Sequence, residues 1–511
     1  MKKIYRLLYS NKFVAMVMLL MQIITFVAMY IWISDYSKVL FGLSTVLSAV
    51  LIIFEINRTE ESTFKMTWIT LIAIIPIFGA LFYLFTRAQG VSMNIGDDYK
   101  NIQEANKKYL VQDEDVMKNI YQTDKNQDGF ARYLSKYGGS PAYTNTGVQY
   151  YSIGERMFED MKKELLKAEK FIFLEFFIIN HTSRMWNEIL EILKKKVKQG
   201  VEVRVMYDGM GCIVTLPRKY NEYLERQGIK CRIFSPIVPL LSTHQNNRDH
   251  RKIMVIDGAT AFCGGINLSD EYINEKMRFG HWKDTGFMLR GEAVAGFTAM
   301  FLEMWNVNDE HIEDCGEYIQ ASKKYSVSTD GFVIPFGDTP LDEVYVGKRA
   351  YINNLNNASE YTYIMTPYLV IDDEMYECMK YAAQRGVDVK IIMPHIPDKK
   401  YAFYLARTYY KELLKAGIEI YEYTPGFVHA KMSISDGKKA IVGTVNHDYR
   451  SLYLHYECAA YMLNVPAVMD IERDFKDTLE LSQQITLEDV KHFNIFTKIL
   501  GHIIRLVAPL L

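Results

Sequence analysis

A short motif, His-x-Lys-x4-Asp, occurs twice in this chain and limits its folding more than any other feature. Its residues are His250, Lys252 and Asp257 in the first copy, and His429, Lys431 and Asp436 in the second. With 11 histidines in the chain, chance predicts about 0.03 complete matches. Two matches therefore indicate a duplicated unit whose copies share one chemistry.

Each motif is followed, at the same interval, by a second short segment. The segments are Gly264-Gly265-Ile-Asn267 and Gly443-Thr444-Val-Asn446. Amide side chains at Asn267 and Asn446 can donate to phosphate oxygens. The turn carrying Gly265, and Thr444 in the second copy, is where a backbone can closely approach a ligand. We therefore predict that these four residues bind substrate.

Histidine and lysine two residues apart on a strand point to the same face, so the imidazole and the ammonium can converge on one anion. Lysine suits a phosphate as a point charge. If a pseudo-twofold axis brings both motifs together, one histidine can attack phosphorus while the other protonates the leaving oxygen. A histidine packed within a sheet is the simpler interpretation of one copy, whereas the matched pair favours catalysis by both motifs.

The sequence around the motifs also repeats. An amphipathic helix over residues 185–198, and again over 375–384, ends at glycine and passes into alternating β-branched residues. A strand precedes each helix, at residues 170–179 and 361–366. The pattern predicts an α/β fold of two lobes with central sheets and right-handed crossovers, over residues 146–325 and 326–490.

The N-terminal 90 residues have the composition of a membrane anchor. Residues 13–33 and 66–86 are uncharged stretches, each long enough to cross about 30 Å of hydrocarbon. Residues 39–54 form a shorter candidate span, which could also be tilted, re-entrant or interfacial. Three spans would place the large C-terminal part outside the cell and two would keep it inside, so flanking charges leave the side open.

Two further segments complete the predicted organisation. Residues 91–145 are assigned to a peripheral helical linker, and residues 491–511 to an amphipathic C-terminal helix. That helix either packs on the core or lies in the membrane interface, and its apolar end favours the interface. We predict multi-pass attachment to the cell membrane.

Charge argues against a nucleic-acid partner. The chain carries 59 basic and 61 acidic residues, a net charge of −2. That total combines +3 over residues 1–86 with −5 over the remainder. Non-specific nucleic-acid binders usually have a basic excess, so a nuclease or nucleic-acid-binding protein is disfavoured.

The twin motifs resemble those of the phospholipase D superfamily, and residues 247–253, 262–267 and 366–369 are similar to segments of bacterial cardiolipin synthases. The resemblance implies a two-lobe phospholipase D-like fold with mixed sheets flanked by helices, preceded by transmembrane helices. It implies phosphatidyl transfer between two phosphatidylglycerol molecules, giving cardiolipin and glycerol through a phosphatidyl-histidine. No metal or other cofactor is implied.

The resemblance also suggests individual roles. His250 is expected to be the nucleophile and His429 the acid and base, with Asp284 and Glu457 orienting the imidazoles. Asp257 and Asp436 then serve the local fold as much as the chemistry. His455 departs from the asparagine that the family usually has there, and residues 13–33 are additional to its usual pair of spans.

Three alternatives to phosphatidyl transfer differ in what they require of the chain. A hydrolytic phospholipase D or phosphodiesterase, in which water takes the second step, is the nearest. A nuclease is disfavoured by the charge and by the anchor. A non-catalytic scaffold would require one motif to have decayed, and both are intact.

Overall fold

The chain forms two compact units. The smaller comprises residues 1–93, 237–246 and 502–511, and the larger comprises residues 94–236 and 247–501. The computed structural model describes residue 20 and residues 23–24, 34–88, 93–235, 247–307, 309 and 312–510.

Three helices make up the described N-terminal part of the smaller unit: α1 (Ser34–Ile56), α2 (Ser62–Ile74) and α3 (Pro76–Ala88). Proline lacks an N–H and is tolerated at the first position of a helix, so the chain breaks between α2 and α3. Trp68, Ile72 and Tyr83 pack in a small apolar core. The Tyr83 hydroxyl donates to the buried Glu55 carboxylate at 2.6 Å.

The predicted spans have different outcomes. Residues 13–33 lie outside the described residues, apart from positions 20, 23 and 24. Helix α1 contains residues 39–54, while residues 66–86 are divided between α2 and α3. Among the described residues, no helix has both the length and the apolar character needed to cross a bilayer.

The larger unit begins with three helices, α4 (Met93–Lys107), α5 (Glu114–Thr123) and α6 (Lys125–Tyr137). Asp113 and Asp124 cap α5 and α6 by accepting hydrogen bonds from backbone N–H groups. These three helices lie within residues 91–145, which the sequence assigns to a helical linker.

The first lobe is built on a seven-stranded sheet in the order β1-β9-β7-β6-β2-β3-β4. Its strands are β1 (Thr146–Tyr151), β2 (Phe171–Phe176), β3 (Glu202–Asp208), β4 (Lys230–Phe234), β6 (Lys252–Ile256), β7 (Thr260–Gly264) and β9 (Gly286–Gly291). Two further strands of this lobe, β5 (Arg248–Asp249) and β8 (His281–Lys283), pair with the second lobe. Its helices are α7 (Gly154–Lys167), α8 (Arg184–Lys198), α9 (Tyr220–Arg226), α10 (Val294–Asn306) and α11 (Gly316–Gln320).

The second lobe repeats this arrangement in the order β10-β19-β17-β16-β11-β13-β14, with β20 added at the edge. Its strands are β10 (Phe332–Asp338), β11 (Tyr361–Met365), β12 (Leu369–Val370), β13 (Asp388–Pro394), β14 (Glu419–Tyr423), β15 (Gly426–Val428), β16 (Met432–Ser435), β17 (Lys439–Gly443), β18 (His447–Asp448), β19 (His455–Leu463) and β20 (Ser482–Ile485). Its helices are α12 (Val346–Asn356), α13 (Asp373–Gln384), α14 (Lys400–Lys415) and α15 (Ala467–Glu480), followed by α16 (Leu487–His492) and α17 (Ile495–Arg505).

The repeated sequence pattern corresponds to equivalent elements in the two sheets. Helices α8 and α13 cover the two predicted helices, and each is capped by a side chain, Ser183 in one and Asp372 in the other. Gly200 and Gly386 follow the helices with positive φ angles of 88° and 94°, a conformation that favours glycine. The predicted mixed α/β fold of two lobes is therefore confirmed.

One apolar core crosses from lobe to lobe and sets their relative position. All 13 residues of α10 are buried, and its apolar side chains share this core with residues of both sheets. Cys263 of β7 and Cys458 of β19 meet within it, with their Sγ atoms 3.5 Å apart. This packing brings the ends of β6 and β16, which carry the motifs, to a common centre.

Candidate active site

Each motif is fastened to the opposite lobe by backbone hydrogen bonds. Strand β5, just before the first motif, pairs in parallel with the start of β19, and β8 pairs in parallel with β15, just before the second motif. The His250 N–H donates to the Tyr456 carbonyl at 2.9 Å, and the His429 N–H donates to the Lys283 carbonyl at 2.7 Å. The two histidines are therefore held by equivalent contacts across the lobes.

Each imidazole is also held by a carboxylate from the other lobe. His250 Nδ1 lies 2.8 Å from Glu457 Oε1, and His429 Nδ1 lies 2.6 Å from Asp284 Oδ2. An Nδ1–H that donates to a carboxylate fixes the tautomer and leaves Nε2 to accept or transfer a proton. The structure thus brings Asp284 and Glu457 to the histidines, each to the motif of the opposite lobe.

The two lysines lie beside the histidines and are almost completely buried. Lys252 Nζ donates to the His250 carbonyl at 2.6 Å, and Lys431 Nζ donates to the His429 carbonyl. Burial lowers the pKa of Lys252, and it lowers the pKa of Lys431 to about 7. An anionic ligand would favour the charged form of both lysines by compensating for the lost solvation.

Burial also keeps both imidazoles neutral. It lowers the pKa of His250 well below the ordinary value, with a further contribution from Lys252. Burial and Lys431 lower the pKa of His429 to about 4, although Asp284 acts in the opposite direction. The positive charge of Lys431 acts on His250, and that of Lys252 acts on His429. The two motifs therefore form a single electrostatic centre.

The pKa values of the two carboxylates that hold the histidines are shifted in opposite directions. Burial raises the pKa of Glu457 well above its ordinary range, and Lys252 only partly offsets this. Burial acts on Asp284 too, but His429 and Lys431 outweigh it and lower the pKa of Asp284. Asp284 is consequently the better partner for a positively charged imidazole.

The predicted substrate-binding asparagines have different surroundings. Asn267 makes hydrogen bonds within its own lobe, where Oδ1 accepts from the Ile178 N–H at 2.9 Å and Nδ2 donates to the Tyr272 hydroxyl at 2.8 Å. Asn446 is buried, and its Oδ1 has no hydrogen-bond partner among the described residues. Of these two amides, Asn446 has the oxygen available to a ligand.

Gly265 and Thr444, the other predicted substrate-binding residues, contact the carboxylates. A Cβ atom at Gly265 would lie 2.0 Å from Asp284 Oδ1, so only glycine allows that carboxylate to reach His429. Thr444 Oγ1 donates to Glu457. Gly265 and Thr444 therefore help to position the two carboxylates that hold the histidines.

The motif aspartates lie at the far ends of strands β6 and β16. Asp257 accepts hydrogen bonds from the N–H groups of residues 169, 170 and 171 at 2.7 to 2.8 Å, and Asp436 accepts from those of residues 359, 360 and 361. The structure does not bring either carboxylate to the histidines. These hydrogen bonds anchor the start of β2 and of β11, which favours the role in the local fold that the sequence also suggested for both aspartates.

Replacing Asp257 with asparagine should reduce stability and spare catalysis. The φ angle of 54° at Asp257 suits asparagine equally well, so the change tests the carboxylate alone. Weaker charge-assisted hydrogen bonds should lower the midpoint of thermal unfolding by about 2–5 °C. Calorimetry and an assay at 25 °C would check this; turnover per folded molecule that falls more than about tenfold would contradict the structural role.

Aromatic side chains that the sequence did not single out surround the histidines. The His429 ring has centroid distances of 5.5 Å to Tyr272, 5.2 Å to Trp282 and 5.7 Å to Phe427. Phe177 lies 5.0 Å from His250. Residues 281–283 form a third His-x-Lys pair of the chain, and Asp284 directly follows it. That local signal could have drawn attention to Trp282.

One group among the described residues could hold a metal ion. His250, His455 and Glu457 each offer a ligand atom, and these atoms lie within 4.8 Å of one another. The charges of Arg450, Arg248, Lys252 and Lys399 act on His455. Since this surrounding positive charge opposes a divalent cation, the local chemistry favours an anion.

The chain is similar to known proteins over most of its length. Residues 161–305 and 351–479 match the family model described as the PLD-like domain of cardiolipin synthase. Residues 45–87 match a phospholipase D-nuclease N-terminal model. The chain is 33% identical to a cardiolipin synthase of Alkalihalophilus pseudofirmus, over 95% of this chain and 97% of that protein.

The chain belongs to the cardiolipin synthase family. Cardiolipin synthase 2 of Bacillus anthracis is also 33% identical, over 90% of this chain and 89% of its own length. A Streptococcus mutans protein of uncharacterised function is 49% identical over 90% of this chain and 99% of its own length. The predicted family is therefore confirmed.

The fold is shared with a solved structure outside the cardiolipin synthases. The phosphatidylserine synthase of Haemophilus influenzae superposes with a TM-score of 0.56 over 76% of this chain and 98% of its own. Sequence identity is 12%, so this likeness bears on the fold alone.

Proposed function

We propose that the protein is a membrane-associated phosphatidyltransferase that makes cardiolipin and glycerol from two molecules of phosphatidylglycerol. The observation that carries the proposal is the pair of imidazoles, each held at Nδ1 by a carboxylate from the other lobe. Two neutral imidazoles beside two lysines suit displacement at a phosphodiester. Membership of the cardiolipin synthase family supports the choice of lipid.

In the first step, His250 Nε2 attacks the phosphorus of one phosphatidylglycerol. The bond from phosphorus to the headgroup glycerol oxygen breaks, and His429 gives that oxygen a proton, so that glycerol leaves. Binding of the anionic phosphodiester raises the pKa of His429, because an opposite charge favours its protonated form, and His429 takes up from water the proton that it then gives to the glycerol oxygen. Asp284, whose own pKa is lowered, stabilises the protonated His429.

In the second step, the terminal hydroxyl of another phosphatidylglycerol attacks the phosphatidyl-histidine. His429 takes the hydroxyl proton, a phosphorus–oxygen bond forms, and the phosphorus–nitrogen bond to His250 breaks. Cardiolipin is released, and both histidines return to their starting protonation. Lys252 and Lys431 stabilise the phosphate charge in both steps, so the reaction requires no metal or other cofactor.

Multi-pass attachment to the cell membrane is part of the proposal. Residues 13–33 and the helical segments between residues 34 and 88 supply its apolar anchor. Helix α17 adds an exposed apolar surface, with Phe496 77% and Ile495 59% exposed. Such a surface suits the membrane interface, where both lipid substrates are found.

The direct test is a product assay of the full-length protein, purified in detergent and reconstituted in phosphatidylglycerol vesicles with a metal chelator. We expect cardiolipin and glycerol in equal amounts. Vesicles of phosphatidylcholine alone serve as the control. Phosphatidic acid as the dominant product would instead identify a hydrolytic phospholipase D, and a requirement for added metal would contradict the mechanism.

A further inference from the structure

His455 is a buried imidazole that the mechanism does not use. It is 8% exposed, and both of its ring nitrogens lack a hydrogen-bond partner among the described residues. Its ring lies 5.5 Å from the ring of His250, and its Nδ1 is 3.9 Å from Glu457 Oε1. A buried polar group without a partner is costly unless a ligand supplies one.

Cationic side chains gather around this imidazole. Arg248 stands opposite His455 in the parallel pairing of β5 with β19. Arg450 begins the helical turn Arg450–Leu454, which ends where His455 begins β19. The charges of both arginines, of Lys252 and of Lys399 act on His455 and, after burial, contribute to its lowered pKa. His455 therefore remains neutral within a positively charged setting.

The two arginines also act on each other. Burial lowers the pKa of Arg450, and the like charge of Arg248 adds to this effect, whereas Tyr401 and Asp448 oppose it. Arg248 lies 3.5 Å from Asp208. Like charges brought together away from water are unfavourable, and a bound anion relieves their repulsion. This setting favours a site for an anion beside the catalytic centre.

We infer that Arg248, Arg450 and Lys399, with His455 between them, bind the phosphodiester of the acceptor lipid. The inference rests on the proposed function, in which the acceptor is itself a phosphodiester. Its reacting hydroxyl must reach the phosphorus on His250, and a three-carbon glycerol link spans about 5 Å at ordinary bond lengths. The two imidazole rings lie 5.5 Å apart, so a phosphodiester held beside His455 is near the phosphorus on His250.

The arginines, Lys399 and His455 have different roles in this site. Arginine pairs with phosphate oxygens in a bidentate fashion, whereas lysine acts as a point charge. Lys399 is exposed, just before α14, and its Nζ lies 4.5 Å from the centroid of the Tyr368 ring. Lys399 can contact an incoming headgroup first, and the more buried arginines then bind the phosphate of that headgroup. Neutral His455 can donate one hydrogen bond to the phosphate.

Competition between an anionic and a neutral acceptor tests this site separately from the first step. The full-length protein receives phosphatidylglycerol together with 1-butanol, so that one phosphatidyl-enzyme partitions between cardiolipin and phosphatidylbutanol. For the double variant Lys399→Ala and Arg450→Gln, we expect the ratio of cardiolipin to phosphatidylbutanol to fall about tenfold or more. Phosphatidylbutanol formation should persist, because the neutral alcohol does not need the site.

Two controls keep the interpretation specific. Lys415→Ala removes a positive charge from the other end of α14, where Lys415 pairs with Glu412 at an exposed position, and should leave the ratio unchanged. Arg450→Lys in the Lys399 wild-type background should recover most of the ratio, because it keeps the charge.

The outcomes separate this inference from the proposed function. An unchanged ratio in the double variant would overturn the acceptor site, even though the wild-type protein makes cardiolipin. An equal fall in both products would also overturn it, because that result assigns the residues to the donor or to folding. If the wild-type protein forms phosphatidylbutanol but no cardiolipin, the proposed function itself fails.

Discussion

Replacing His250 with alanine is expected to lower cardiolipin formation by at least about 10⁴-fold, because the covalent route through phosphatidyl-histidine is lost. His250 is buried, and its Nδ1 is held by Glu457, so only Nε2 remains to attack phosphorus. Product formation from phosphatidylglycerol, measured by mass spectrometry, checks the loss.

His429→Ala is the matched comparison, because the two histidines occupy equivalent positions in the duplicated fold. A phosphatidyl ester of p-nitrophenol separates their roles, since its leaving group departs without protonation. We expect His429→Ala to release about one equivalent of nitrophenol and to retain a phosphatidyl group on His250. His250→Ala should release none.

The opposite pattern would reverse the assignment of the histidines. If His250→Ala became phosphatidylated on His429, the nucleophile would be the second motif and the acid the first. Peptide mapping of the trapped adduct would locate it directly. Retained turnover in both variants would exclude the covalent mechanism altogether.

Asp284→Asn is expected to slow turnover by about 10³-fold, with little change in the apparent KM. An amide can donate as well as accept, so it no longer specifies the tautomer of His429, and it cannot stabilise the positive imidazole. The hydrogen bond that it replaces is 2.6 Å long. Steady-state kinetics with the purified protein would separate kcat from KM.

Glu303→Gln provides a control for the change of a buried acid to an amide. Glu303 is buried in the same unit and accepts a hydrogen bond from the Tyr99 hydroxyl at 3.2 Å. It does not hold a catalytic histidine, so we expect turnover within about threefold of the wild type. A loss for Asp284→Asn no larger than that for Glu303→Gln would contradict the positioning role.

The sequence predicts much of the fold because the evidence for it is local. Helix α8 is amphipathic, is capped by Ser183 and is followed by Gly200, and a buried strand precedes it. Each of these signals lies within a few residues of the element that it specifies. The second lobe repeats the same signals, so the sequence alone predicts two lobes.

The sequence predicts the contacts of some site residues better than those of others. The two histidines and two lysines come together as expected, since strong motifs mark them, and the two acids that the family resemblance suggested lie beside the histidines. Asp257 belongs to the same motif but stands at the other end of β6, where it binds backbone N–H groups. A motif records which residues occur together and does not distinguish those that react from those that hold the fold.

Sequence alone determined that this chain contains two copies of one α/β unit, that each copy carries a histidine two residues before a lysine, and that its N-terminal part is apolar. Only the tertiary structure decided that each histidine is held by the acid of the opposite lobe. Those contacts join residues that are 207 and 145 positions apart. Local periodicity cannot specify such pairs, because they depend on how one buried core fixes two sheets against each other.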